Sequence, residues 1–293
     1  MGKLFGSIEA GGTKFVCAVG NQEFEIVDKI QFPTTKPEET IDRTIAYFKT
    51  FEEQLAGIAI GSFGPIDIDP ESSTYGYITT TPKPYWANVD LLGKLSAAFD
   101  IPFYITTDVN SSAYGEAIAR PGTKSLVYYI IGTGIGAGAI QDGRFIGGIG
   151  DTEAGHTYVK SHPSDLQADF QGVCPFHKGC LEGMAAGPSL EARTGIKGEL
   201  LEADDQVWDT QAFYIAQAAL QATMLYRPQV IVFGGGVMAQ EHMVKRVHDC
   251  FRQLLNGYLP VPDLKDYIVT PAIADNGSAT IGNFALAKQV SET

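Results

Sequence analysis

The stretch Ser7-Ile8-Glu9-Ala10-Gly11-Gly12-Thr13-Lys14 sets an acid, two glycines, a hydroxyl and a lysine directly after an apolar strand start. Paired glycines let backbone N–H groups approach a bulky anion, Thr13 can donate to phosphate oxygens, and Lys14 adds positive charge, so the segment suits nucleotide phosphates. A tight hairpin turn uses the same glycines, and taken alone the segment supports both readings. Asp108, in Thr106-Thr107-Asp108-Val109-Asn110, stands between an apolar strand and a helix start. A carboxylate there can cap the helix. It can also accept the proton of a substrate hydroxyl as that oxygen attacks phosphorus. Cys174, His177 and Cys180 are separated by two residues each, and His156 upstream can complete a four-ligand set. Mixed thiolate and imidazole ligation suits tetrahedral Zn²⁺, and four protein ligands leave no place for water, which makes the metal structural. Glu153 and Glu182 flank this set, either as hydrogen-bond acceptors for a polyol or as solvated acids.

These groups need a scaffold that presents loops at strand ends. Leu4 to Ile8, Phe15 to Val19 and Phe24 to Phe32 read as an antiparallel meander broken by glycines. Pro37-Glu38-Glu39 reads as a helix start, with Ile41, Ile45, Phe48 and Leu55 at helical spacing up to Gly57. A strand at Gly57 to Ile60, a helix from Asp90 to Phe99, a strand at Phe103 to Thr106 and a helix from Val109 to Ala119 complete one α/β lobe. The pattern then restarts, with strand Leu126 to Ile131, the turn Gly132-Thr133-Gly134-Ile135-Gly136 and strand character again in Ala137 to Ile140. Two hairpins with Gly- and Thr-bearing turns amount to a weak internal repeat. An insertion rich in His, Cys and Pro covers residues 150 to 182. Helices at Pro188 to Thr194 and Asp209 to Tyr226, a strand at Val230 to Phe233, Gly234-Gly235-Gly236, a helix through Phe251 and a closing helix in Gly277 to Val290 follow. Glycine-bearing turns, Gly11-Gly12-Thr13, Gly61-Ser62-Phe63-Gly64, Gly132-Thr133-Gly134 and Gly234-Gly235-Gly236, therefore end four apolar strands, where α/β folds put ligands. Neither the Walker phosphate loop nor the Rossmann fingerprint is present.

At 293 residues and 44% hydrophobic content, the chain has material for roughly two domains with substantial cores. A net charge of -13 without clustered Lys and Arg argues against a nucleic-acid surface. No apolar run approaches the roughly 20 residues that span a bilayer, and the N-terminus lacks a basic and apolar leader. The expectation is a cytoplasmic protein that engages no membrane. Four cysteines are too few for a disulfide framework in a chain of this length.

Taken in order, these motifs resemble the ROK family of sugar kinases, closest to its bacterial fructokinases, over nearly the whole chain. Glu9 through Lys14 matches the first phosphate segment, Asp108-Val109-Asn110 the catalytic aspartate segment, and Ile131 through Gly136 the second phosphate segment. Glu153-Ala154-Gly155-His156 and Cys174 through Glu182 match the sugar and zinc signature, and Gly234 through Val237 the adenosine segment. The resemblance implies an α/β, two-lobed actin-like or hexokinase-like ATPase fold with ribonuclease H-like duplicated domains. It places a small lobe at 1–118 with the helix 277–293 packed back on it, and a large lobe at 119–276 carrying the zinc insertion. It implies ATP, Mg²⁺ and structural Zn²⁺, transfer to a hexose hydroxyl, and a homodimer. Asp108 becomes the base, and Gly64, Glu153, His156 and Glu182 the sugar contacts. Glu9, Gly11, Gly12, Thr13, Lys14, Thr133, Gly134, Pro188, Gly235, Gly236, Val237 and Met238 become the nucleotide contacts. His156, Cys174, His177 and Cys180 become the metal ligands.

Three positions depart from the family pattern. Glu9 stands where Asp is usual, as in the fructokinase variant; Thr107 stands where glucokinase-like members have Asn; and His177 fills a zinc position often held by Cys. The expected reaction is ATP-dependent phosphorylation of fructose at its 6-hydroxyl. Mannose, glucose or N-acetylmannosamine are the alternatives, since epimers differ by one hydroxyl that spacing does not rank. A DNA-binding repressor of the family would need a helix-turn-helix ahead of residue 7, and a silent sugar-binding protein would not need the phosphate segments or Asp108.

Overall fold

Strand β1 (Leu4–Ala10) is almost wholly buried because it lies inside a sheet, hydrogen-bonded to β2 (Lys14–Gly20) in antiparallel fashion and to β4 (Leu55–Ser62) in parallel. The computed structural model describes residues 2–148, 150–275 and 277–293. They form two units, one of residues 1–121, 145–151 and 273–293, the other of residues 122–144 and 152–272.

In the first unit β3 (Ile26–Pro33) and β7 (Phe103–Thr107) complete the order β3-β2-β1-β4-β7, so the expected meander forms one half of the sheet. Helix α1 (Pro37–Lys49) starts at the expected proline with Glu38 and Glu39 in its first turn. It ends at Lys49, short of the expected stop. Leu55 instead opens β4 opposite Leu4, and its apolar side chain belongs to a strand period rather than to the helix. The short strands β5 (Tyr77–Ile78) and β6 (Val89–Asp90) pair with each other. Helix α2 (Leu91–Ser96) is shorter than expected, because Asp90 stays outside it as the cap, accepting from Gly93 N at 2.7 Å.

Helix α3 (Asp108–Ile118) carries the candidate base and packs on the closing helix Ser278–Ser291. The two backbones meet at glycines. A Cβ on Gly115 would lie 1.9 Å from Ser278 O, and one on Gly282 would lie 1.9 Å from Ser111 O. A buried polar network fixes the register: Ser111 Oγ donates to Asn283 Oδ1 at 2.7 Å, and Asn283 Nδ2 donates to Ile8 O at 3.2 Å and approaches Ser7 Oγ at 3.1 Å. Gly115→Ala therefore forces the helices apart and is expected to destabilise the unit by about 2–3 kcal/mol, read as a lowered midpoint of thermal unfolding. A midpoint equal to the parent's would refute the close approach.

The second unit repeats the first. Strands β8 (Ser125–Ile131), β9 (Ile135–Gln141), β10 (Arg144–Phe145), β11 (Val230–Gly234) and β12 (Ile268–Val269) are ordered β10-β9-β8-β11-β12, with β8 and β9 antiparallel and β8, β11 and β12 parallel. Each sheet thus places its hairpin and its parallel strands at equivalent positions. Between β10 and β11 come α4 (Pro163–Gln167), α5 (Leu181–Ala185), α6 (Gly187–Thr194) and the long α7 (Val207–Tyr226). Helices α8 (Met243–Leu255) and α9 (Leu264–Tyr267) follow β11. No helix among the described residues is long and apolar enough to cross a membrane.

Candidate active site

In the first unit the β1–β2 turn is built as an open loop. Gly11 N donates to Lys14 O at 3.0 Å, while the end of β3 braces the turn from behind, Thr34 Oγ1 donating to Gly11 O at 2.6 Å and Thr34 N to Thr13 O at 2.9 Å. Thr13 and Lys14 are exposed at its tip, and Lys14 Nζ also reaches Gln31 Oε1 at 3.3 Å. Glu9 sits at the end of β1, where Thr280 on the closing helix donates to its carboxylate. Burial holds Glu9 above the usual carboxylate range, against the opposing pull of Thr280 and of the charges on Lys29 and Lys14. Gly64 is exposed after β4 and precedes Pro65 through a cis bond.

Asp108 does not cap α3. Thr107 holds that position, its Oγ1 accepting from Asn110 N at 3.2 Å. A hydroxyl has the reach to do so and leaves Asp108 in the first helical turn, its Oδ1 accepting from Val109 N at 2.9 Å. Burial, with the charges of Asp151 and Glu9 adding to it and the Val109 N–H opposing it, raises Asp108 to about 6. A carboxylate of that basicity is still ionised at neutral pH and is a better proton acceptor than an ordinary aspartate. Asp151 is a residue that the motifs did not single out. Burial raises its carboxyl above the usual carboxylate range, against the opposing pull of its own backbone and of Thr107, 44 positions away in sequence.

In the second unit the hairpin turn Gly132-Thr133-Gly134 leaves Thr133 exposed. Ile135 N, just beyond it, donates to Glu182 Oε2 at 3.0 Å. Glu182 Oε1 in turn lies 3.9 Å from His156 Nε2. The short turn Ala154–His156, which Glu153 immediately precedes, rests on the same strand end, where a Cβ on Gly155 would lie 1.9 Å from Ile135 O. The turn Gly132-Thr133-Gly134, Glu182 and His156 are therefore one assembly.

The other ring nitrogen of His156 faces the cysteines. His156 Nδ1 is 3.8 Å from Cys174 Sγ and 3.9 Å from Cys180 Sγ, and His177 Nδ1 is 4.0 Å from Cys174 Sγ. All four donor atoms lie within 4.8 Å of one another. Tetrahedral zinc with ordinary Zn–S and Zn–N bonds would set S···N edges of about 3.6 Å, so the donors are spaced to hold it. Burial, with the neighbouring Cys174 and Glu182 adding to it, raises the Cys180 thiol above its ordinary value. The four residues read from spacing thus converge.

A cavity of about 510 Å³ in this unit is walled by Gly132, Thr133, Pro188, Gly236 and Val237, which the motifs had marked for the nucleotide. Lys197, Glu191, Glu199, Gln240 and Trp208 line it as well and had gone unmarked. Gly187 N donates to Gly132 O at 2.7 Å, and Val237 N to Ile131 O at 3.1 Å, so the start of α6 and the turn after β11 close around the hairpin. Gly235 turns the chain at φ 89°, and Met238 is buried beneath. An unforeseen brace steadies α6 from outside. Arg193 donates to both oxygens of Asp165 at 2.9 and 2.8 Å and to Met184 O at 2.8 Å, and Tyr214 donates to Asp165 at 2.6 Å.

Comparison with known proteins places this geometry in context. The sequence pattern of the ROK family matches residues 5–290. A fructokinase of Streptococcus mutans is 72% identical over 290 residues, covering 99% of both chains. A fructokinase of Lactococcus lactis subsp. cremoris is 54% identical over 288 residues, covering 98% of each. A ROK hexokinase of Thermus thermophilus, 23% identical, superposes with a TM-score of 0.82 over 99% of this chain and 100% of its own, and so shares the fold.

Proposed function

From the premise that this chain belongs to the ROK family and has its two-domain actin-like ATPase fold, we propose that it transfers the γ-phosphoryl group of ATP to the 6-hydroxyl of fructose, yielding fructose 6-phosphate and ADP. The observation that carries the chemistry is Asp108, released from capping by Thr107 and raised by burial to about 6. It accepts the 6-hydroxyl proton as the oxygen attacks phosphorus, and the leaving group is ADP. Full-length relatives with the fructokinase name, at 72% and 54% identity, support fructose over the other hexoses.

Gly64, Glu153, His156 and Glu182 orient the sugar in this reading. Thr13, Thr133 and the glycine backbones of Gly11, Gly12 and Gly134 hold phosphates, with Lys14 as an added charge. Pro188, Gly235, Gly236, Val237 and Met238 shape the adenosine site. Glu9 would hold magnesium through water, and the metal would supply positive charge against that developing on the transferred group. Zinc would sit among His156 Nδ1, Cys174, His177 and Cys180, leaving His156 Nε2 toward Glu182. A homodimer is what the family resemblance implies, and a cytoplasmic location is the expectation carried from the sequence.

A coupled ADP-release assay across fructose, mannose, glucose and N-acetylmannosamine tests the substrate. Fructose is expected to give a kcat/KM at least about tenfold above the others. Another hexose surpassing it would reassign the substrate, and silence with all four would end the kinase reading.

A further inference from the structure

The brace behind α6 acts on more than its own helix. The side chain of Arg193 is 8% exposed and that of Asp165, its partner on α4, 4%. A guanidinium has five N–H groups to give, and here five contacts take them up. Nε and Nη2 donate to the two oxygens of Asp165 at 2.9 and 2.8 Å, Nη2 donates also to Met184 O at 2.8 Å, and Nη1 donates to Ser189 Oγ at 2.9 Å and to Ser189 O at 3.3 Å. Met184 belongs to α5, Ser189 and Arg193 belong to α6, and Ala186 alone separates the two helices. One side chain therefore fixes the corner that α5 and α6 make.

Each arm of that corner grips the turn between β8 and β9. From α5, Glu182 Oε2 accepts from Ile135 N at 3.0 Å, just past the turn. From α6, Gly187 N donates to Gly132 O at 2.7 Å, at the start of the turn. Thr133 lies between the two holds, exposed, on the wall of the cavity of about 510 Å³ to which Pro188 and Leu190 of α6 also contribute. A change in the corner moves Glu182 and Gly187 relative to each other, so at least one hold must lengthen. Asp165 is itself anchored, since Tyr214 of α7 donates to it at 2.6 Å and accepts from His162 N at 2.8 Å. A buried ion pair adds little stability over an apolar pair of the same volume; what an apolar pair lacks is the power to aim donors.

We propose that Arg193, held by Asp165, is a positioning residue for phosphoryl transfer, fixing the α5–α6 corner so that the turn Gly132-Thr133-Gly134 meets the nucleotide phosphates. The inference rests on the reading of Thr133 as a phosphate contact.

Kinetics with fructose and MgATP, thermal unfolding, and deuterium exchange of peptides covering Ile135 and Gly187 read the result. Arg193→Lys keeps a positive charge beside Asp165 but has no fork to reach Met184 O and Ser189 at the same time. It is expected to raise KM for MgATP about fivefold or more and to speed exchange at Ile135 and Gly187. Loss of folded protein alone lowers the apparent kcat and leaves KM where it was, so the rise in KM separates positioning from stability. Arg193→Met combined with Asp165→Leu removes both buried charges. This double variant is expected to unfold at a higher temperature than Arg193→Met alone while KM for MgATP stays raised. A parental KM for MgATP in Arg193→Lys or in the folded double variant, or unchanged exchange at Ile135 and Gly187, overturns the proposal. Parent protein that releases no ADP with fructose would instead count against the reading of the reaction, and exchange in Arg193→Lys would still decide whether Arg193 holds the turn.

Discussion

Replacing Asp108 with Asn is expected to lower kcat by about 10²–10⁴-fold while ATP binding, measured by calorimetry without sugar, stays at the parent's affinity. Asparagine keeps the shape and the acceptor toward Val109 N, so α3 begins as before, with Thr107 still its cap. What is lost is the group that takes the proton. The parent has a second signature. Asp108 works only when ionised, and its carboxyl titrates near 6, so kcat is expected to fall as pH drops through about 6 and to hold level above it. An Asn variant with turnover within a few-fold of the parent, or a parent whose kcat is flat from pH 5 to 7, would remove Asp108 from the mechanism.

The second large effect concerns the metal. Elemental analysis is expected to find about one zinc per chain, and Cys180→Ser to abolish it, since structural zinc contributes on the order of 10 kcal/mol to the fold that holds it. The damage should spread along a defined route. Cys180 caps α5, its Sγ accepting from Gly183 N at 3.4 Å, and α5 carries Glu182, which receives Ile135 N beside the Gly132-Thr133-Gly134 turn. Turnover is therefore expected to drop more than about tenfold in the metal-free variant, even with the first unit folded. Metal-free protein with parental activity and an intact melting profile would sink this account.

Much of this site was legible because its chemistry is local in sequence. Cys174, His177 and Cys180 announce themselves by spacing, and the two Gly-Thr turns by composition. What stayed hidden was what contacts make across long separations. Glu182 could be marked as a polar group near a sugar, but its hold on Ile135 N joins residues 47 apart. Asp165 and Arg193 look like surface charges until Tyr214 and Met184 enclose them. Leu55 misled for a different reason. Its spacing fits a helix as well as a strand, and only pairing with β1 decides between them. Thr107 and Asp108 are both good caps, and which one serves is settled by where β7 releases the chain.

The helix Ser278–Ser291 lies against β1, β4 and α3, elements made 160 residues earlier or more. During synthesis, then, the first unit is exposed without one of its walls, with Gly115 and Ser111 lacking their partners, while the second unit between residues 122 and 272 is already complete apart from its links. The order of folding on the ribosome should run opposite to the order of translation, the later-made unit closing first. A nascent chain arrested before residue 278 would expose an unfinished apolar face to chaperones and proteases, and fusions that crowd that helix would trouble the unit holding Asp108 more than the unit holding Cys174 and Cys180.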